Sequence, residues 1–289
     1  KMNTEKTDKS EIFALALQNH QKNNLKVAEK LYNEILNITP NHFESLFYLG
    51  SLHLQTGNLI RSKELLEEAI KIKPNFAHAY NNLAKVYKDL GESKKALTYF
   101  KKAIEIDPKI SPAHNNLGNL HKELGNLNEA LTCYEKAIFL NPKFSVALNN
   151  LGIVLHSLKK YDEAIKYFNE ATKSSPNFSA AHYNLGKILK ELRRYDESIK
   201  SFEKANTTRS RAELLESVYF SKGVETYLKI LKKLKDEDPL NLRVATMSAY
   251  VSQKENIDNI YPFCKNPLEY IFTKNLKNDI KNIEKFSTN

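Results

Sequence analysis

The chain of 289 residues has no tryptophan, two cysteines, two methionines and eight glycines. Cys133 and Cys264 lie far apart and outside any CxxC or Cys/His ligand spacing, which excludes a disulfide framework and a zinc ribbon. Both read as free thiols, and so point to a reducing, cytoplasmic compartment. No apolar run approaches the ~20 residues needed to cross a bilayer, so no membrane association is expected. The opening KMNTEKTDKS lacks the apolar stretch of a secretory signal. Because it begins at Lys1 and not at methionine, the chain reads as a piece of a longer product. There is no Gly-rich phosphate loop, nucleophile elbow or Walker motif, so the sequence offers no nucleotide site and no hydrolytic nucleophile.

The net charge of +10 raises the question of nucleic acid. Lys and Arg outnumber Asp and Glu by 30 to 23 up to Asn206 and by 14 to 11 beyond it. The two signs are interleaved throughout, as on solvated helix faces, and nucleic-acid binding is not expected.

What the chain does have is a period. Ala84, Gly118, Gly152 and Gly186 stand 34 residues apart, as do Pro74, Pro108, Pro142 and Pro176. Around them run two amphipathic segments per period, for example AHAYNNLAKVYKDLG followed by a run ending in Pro. A small residue in the first segment, Ala and an aromatic in the second, and Pro at the end define a helix–turn–helix repeat. Residues 77–110 carry Tyr80, Leu83, Ala84, Tyr87, Gly91, Ala96, Phe100, Ala103 and Pro108 at the key places. The copies at 43–76, 111–144, 145–178 and 179–212 follow, the fourth with Lys159 and Lys160 in place of the turn glycine and the last without its Pro. A worn copy at 9–42 precedes them, after a leader, residues 1–8, expected to be disordered.

These residues resemble the tetratricopeptide repeat family, with Tyr, His or Leu in its Trp place. The resemblance implies an all-α, right-handed superhelical solenoid of about six repeats, a protein-binding scaffold without catalysis or cofactor of its own. Small residues at the eighth and twentieth places would let paired helices approach, with the twenty-fourth-place aromatic filling the gap to the neighbouring repeat. His114, His121, His156 and His182 fall largely on packing places and are read as structural and not as metal ligands.

In this family the first helices line the concave side. The sixth place there holds Asn82, Asn116, Asn150 and Asn184, and the fifth Asn81, Asn115 and Asn149. An exposed amide row of this kind could pair with the backbone of an extended peptide, and resembles the peptide-holding array of the O-linked N-acetylglucosamine transferases. Asn119, Lys85, Lys88, Lys122, Lys187 and Lys190 stand beside it. The alternative assignment is that the asparagines bridge adjacent helices. Lys is missing from the second and fifth places that the chaperone-tail clamp of this family requires.

Beyond Asn206 the period slips. Residues 213–254 read as a degenerate repeat and capping helices, and 255–289 as a linker or the start of an absent downstream domain, the alternative being that its apolar residues fold back on the last repeat. DPLNLRVATMSAYVSQ with YPFCKNPLEYI resembles the junction at which marine bacterial repeat arrays lead into a 2-oxoglutarate/iron(II) oxygenase-like domain. That resemblance implies a second function, the substrate-recruiting part of a larger oxygenase-like enzyme, with an O-linked glycosyltransferase, whose peptide-holding array the asparagine row resembles, as the other enzyme class. All eight histidines precede the junction, so the two-His, one-carboxylate site of an oxygenase is not in this chain. Oligomeric state and the identity of the partner are not readable from these residues.

Overall fold

The computed structural model describes residues 2–261. They divide into two compact units, with the boundary between Val154 and Leu155. Among the described residues all regular structure is helical.

The first unit runs through α1 (Met2–Gln21), α2 (Leu25–Ile38), α3 (Phe43–Gln55), α4 (Leu59–Ile72), α5 (Ala77–Asp89), α6 (Ser93–Ile106), α7 (Ser111–Glu123) and α8 (Leu127–Leu140), and includes residues 145–154 of α9 (Ser145–Ser157). Consecutive helices pack against each other as hairpins. Each pair is joined by a three-residue turn whose middle residue is left-handed: Asn23 at φ +62°, then Gly57, Gly91 and Gly125 at φ +81°, +79° and +79°. In α4, α6 and α8 the second helix stops two residues before Pro74, Pro108 or Pro142, as proline's missing N–H and fixed φ require.

Packing inside a pair depends on the eighth place. A Cβ on Gly118 would lie 2.7 Å from the Tyr134 ring, and Tyr134 is fully buried. The twenty-fourth-place aromatic therefore lies over the glycine of its own repeat, a closer contact than the filling of a gap to the neighbour expected from the sequence. At Gly50 the same position faces Leu66, 2.9 Å away, and the Ser62 hydroxyl donates to the Gly50 carbonyl at 2.7 Å. His114 Nε2 donates to the Pro108 carbonyl at 3.1 Å and ties one repeat to the end of the last.

The second unit holds the end of α9, then α10 (Tyr161–Ser174), α11 (Ser179–Glu191), α12 (Tyr195–Ala205), α13 (Thr208–Glu237) and α14 (Leu242–Glu255). Here Gly186 lies under Phe202, again at 2.7 Å, and His182 Nε2 donates to the Pro176 carbonyl at 2.8 Å. Lys159 and Arg193 take the left-handed turn position, φ +61° and +58°, where three of the four turns in the first unit have glycine and the other has Asn23. α13 is broken at Gly223, whose φ of 77° and ψ of 179° separate two helical stretches.

Three boundaries take a definite form. The helix α1 begins at Met2, so the backbone of residues 2–8, placed in a leader by the sequence, runs on into α1. They contain no Pro or Gly, and a helix once nucleated gains a hydrogen bond per added residue. The sixth repeat ends early, not at residue 212: Asn206 turns left-handed and Thr207 caps α13 reciprocally with Ser210. After α14 the chain folds back over residues 256–261. Tyr261 is buried, its hydroxyl donating to the Asp238 carbonyl, and Ile257 and Ile260 join the core of Leu215, Val218, Tyr227, Leu231 and Val244. The rest of the tail, residues 262–289, lies outside the described residues.

Candidate functional site

The sequence places an open polar stripe on the first helices, and the first unit qualifies this. Asn81, Asn115 and Asn149 are buried, only 4–6 % exposed, while Asn82, Asn116 and Asn150 are half-buried. They are linked to one another. Asn82 Nδ2 donates to Ser51 Oγ at 2.9 Å, and Asn81 Nδ2 to Asn82 Oδ1 at 3.2 Å. Asn116 Nδ2 then donates back to Asn81 Oδ1 at 3.0 Å, Asn115 Nδ2 to Asn116 Oδ1 at 3.3 Å, and Asn150 Nδ2 to Asn115 Oδ1 at 3.0 Å. The result is a head-to-tail chain of amides crossing from repeat to repeat.

Asn119 enters the chain sideways, because its Oδ1 accepts from Asn150 Nδ2 at 3.1 Å and from the Tyr134 hydroxyl at 2.8 Å. A buried amide without a partner would cost about 1–3 kcal/mol, so the mutual pairing explains how these asparagines tolerate burial. Of the two amide hydrogens on Asn82 and on Asn116, the chain uses one each. Bridging and an available donor are thus both present in the same residues.

The lysines divide into two kinds. Lys88 is held between Asp89 at 3.3 Å and Glu123 at 3.2 Å, and although its burial disfavours the charge, these carboxylates raise its pKa overall. Lys85 and Lys122 are half-buried and form no ion pair among the described residues.

In the second unit Asn184 is half-buried at the sixth place of α11 and Lys187 forms no ion pair among the described residues. Lys190 is clamped by Glu213 at 2.5 Å and Glu216 at 2.7 Å. Burial works against its charge, but the two carboxylates outweigh that and its pKa is raised. Tyr183 occupies the fifth place, its hydroxyl 3.4 Å from Glu213 and its ring beneath the Arg209 guanidinium at 4.8 Å.

Glu213 and Glu216 were missed by the sequence reading. Counted from the true start of α13 at Thr208, they occupy the sixth and ninth places, where Asn184 and Lys187 stand in α11. The capping residues Thr207 and Ser210 carried the signal. Ser51, the acceptor at the head of the amide chain, occupies the same ninth place in α3.

Other chemistry is sparse. Among the described residues no group of three or more His, Cys, Asp or Glu side chains is placed to hold a metal ion, and no helix is long and apolar enough to cross a membrane. Cys133 is a free thiol whose pKa burial pushes up to about 11.

Family models described as tetratricopeptide repeat match residues 43–76, 77–110, 111–144, 145–178 and 179–209, more than half of the sequence. The chain belongs to the tetratricopeptide repeat family: an α-solenoid whose repeats make it a protein-interaction scaffold. No curated protein matches it in sequence. Among solved structures it is similar to one from a study titled as the functional characterisation of Pseudomonas aeruginosa pilF, with 25% identity and a TM-score of 0.62 over 72% of this chain and 97% of that one. A thermophilic repeat protein of Thermus thermophilus is similar at 20% identity and TM-score 0.57, over 63% and 98% of the two chains. The Cut9–Hcn1 hetero-tetramer of the APC/C is similar at 19% identity and TM-score 0.62, over 78% and 45%. The last two likenesses concern the fold alone. The residues compared above with an oxygenase junction lie past the matched repeats.

Proposed function

We propose that this scaffold holds an extended segment of a partner protein along the first-helix row of the first unit. The observation that supports this reading is the amide chain from Ser51 to Asn150, which fixes the side chains of Asn82 and Asn116 while using one N–H of each. An extended peptide backbone offers carbonyls for those donors, and amides fixed in advance lose little entropy on binding. Lys85 and Lys122, without a carboxylate partner among the described residues, favour a segment with acidic side chains. The protein is then an adaptor that recognises backbone first and charge second, and no residue in it is assigned a catalytic role. Association with a downstream catalytic domain remains the alternative use of the same row.

The test is a peptide-display selection on the full chain, repeated with Asn82→Ala and Asn116→Ala combined. Selected peptides should be acidic, and the double substitution should weaken them by about tenfold or more, since two hydrogen bonds at about 0.5–1.5 kcal/mol each are lost. Unchanged affinity with the fold retained would assign the asparagines to helix bridging alone.

A further inference from the structure

Two places on the second helices of the repeats change from apolar to small and polar between the units. The twelfth residue of one second helix and the seventh of the next are Ile70 and Tyr99 in α4 and α6, and Ile104 and Cys133 in α6 and α8. All four pack against the hydrophobic core of the first unit. In α10 and α12 of the second unit the same places hold Thr172 and Ser201. Here a recess of about 290 Å³ opens between the two helices, lined also by the buried Leu185 and Leu189 of α11. That volume is at the lower end of small-ligand sites, about 300 Å³.

The two hydroxyls are engaged within their own helices. Thr172 donates to the Asn169 carbonyl at 2.9 Å and Ser201 to the Glu197 carbonyl at 3.0 Å. They widen the recess, and the charge comes from its rim. Lys200 and Lys204, four residues apart on one face of α12, form no ion pair among the described residues. The neighbouring carboxylates are matched by other cations. Glu197 accepts from Arg194 Nε and Nη2 at 2.7 Å each, and Asp196 pairs with the Lys222 ammonium at 2.6 Å. Asn169 adds a side-chain amide donor. A second recess shares Thr172, His182 and Lys204 with the first and adds Lys173, which also forms no ion pair among the described residues. The adjoining recesses thus present three uncompensated ammonium groups beside an apolar wall.

We propose that these recesses form a binding site for a phosphate monoester, its anionic group held by Lys173, Lys200 and Lys204 and its organic part seated against Leu185 and Leu189. A phosphate carries up to two negative charges and three strong acceptor oxygens, and so matches three ammonium donors where a carboxylate would leave charge unmet. The space for the organic part is what Thr172 and Ser201 leave open. None of these residues belongs to the first-helix row of the first unit, so this site stands or falls apart from the peptide-binding reading.

The test is calorimetric titration of the full chain with phenyl phosphate at constant ionic strength, with benzoate as the monoanionic control. Phenyl phosphate should bind saturably at one site, tighter than benzoate by about tenfold or more. Lys200→Gln combined with Lys204→Gln should weaken it by about tenfold or more. Thr172→Ile combined with Ser201→Tyr gives these places the side chains they carry in α4 and α6, keeps every lysine, and should abolish binding. Binding that survives this filling in a chain of unchanged helix content would assign the affinity to surface charge and overturn the proposal. The absence of saturable binding, or equal affinity for benzoate, would overturn it too. If the doubly filled chain loses helix content, Ser201→Tyr alone is judged by the same criterion. A phosphoserine peptide that displaces phenyl phosphate supports the site with a phosphorylated protein as the source of the group. Phenyl phosphate bound without displacement by the peptide supports it with a small ester as the source.

Discussion

In the first unit the fifth and sixth places of α5, α7 and α9 carry amides that hydrogen-bond across repeats. In the second, the same places in α11, α13 and α14 carry Tyr183 and Asn184, then Ala212 and Glu213, then Thr246 and Met247. The helix-pairing contacts do not change in step. Gly118 under Tyr134 and Gly186 under Phe202 have the same 2.7 Å geometry on either side of that change. Folding and surface chemistry are therefore written at different places of one repeat, and the surface places vary without altering how a pair packs.

The largest effect should come from the feature that only the second unit has, its returning tail. Tyr261→Ala removes a buried aromatic with its hydrogen bond to Asp238 and should cost about 3–5 kcal/mol. Thermal unfolding monitored by amide exchange should show the loss concentrated in α13 and α14. A chain ending at Gln253 should lose at least as much, and equal or greater stability of that truncation would contradict the packing described.

Next come the pairing contacts. Gly118→Val and Gly186→Val each force a branched side chain into an aromatic ring, and should destabilise by about 1–3 kcal/mol or more. Gly50→Ala should cost less than Gly118→Ala, because the obstructing group at Gly50 is the end of a flexible leucine. Equal melting temperatures for the two alanine variants would remove the distinction.

The amide row gives a smaller, more discriminating comparison. Asn115→Ala leaves Asn150 and Asn116 each short of a partner and should cost about 1–3 kcal/mol. Tyr183→Phe, at the equivalent place of the second unit, removes only a 3.4 Å contact and should change stability by less than about 0.5 kcal/mol. Similar losses at the two positions, measured by urea unfolding, would mean that the amide chain is no more cooperative than isolated contacts.

The smallest effect has the opposite sign. Lys159→Gly and Arg193→Gly should stabilise the second unit by up to about 1 kcal/mol each, since a left-handed turn costs a side-chain-bearing residue what glycine avoids. A fall in melting temperature would show that these side chains contribute more than their backbone strain.

The repeat frame was legible because its signals are backbone-level and local: a glycine under a ring, a proline after a helix, a small residue at a crossing. Pro74, Pro108 and Pro142 place the ends of α4, α6 and α8 to within two residues. The asparagines were legible as a row, with bridging of adjacent helices only as the alternative, because burial of Asn81 and Asn115 depends on how neighbouring repeats meet. Glu213 and Glu216 were hidden for a different reason. Once the terminal Pro is lost, only the short Thr207–Ser210 cap marks where counting restarts. The sequence left the course of the tail open between two alternatives because the acceptor for Tyr261 is a carbonyl 23 residues earlier, which no local pattern marks.

The hydrogen bonds that cross between repeats in the amide row all run the same way, from the Nδ2 of Asn82, Asn116 or Asn150 to an acceptor in the repeat before it. On the proposed reading, a partner segment shifted by one repeat would meet an almost identical set of donors, so the row would act as an unmarked ruler that supplies grip without telling the segment where to stop. The marks are at the ninth place, where Ser51, Lys85 and Asn119 differ from one repeat to the next. For the extended partner segment proposed above, register would be set there, by the residues that break the repetition.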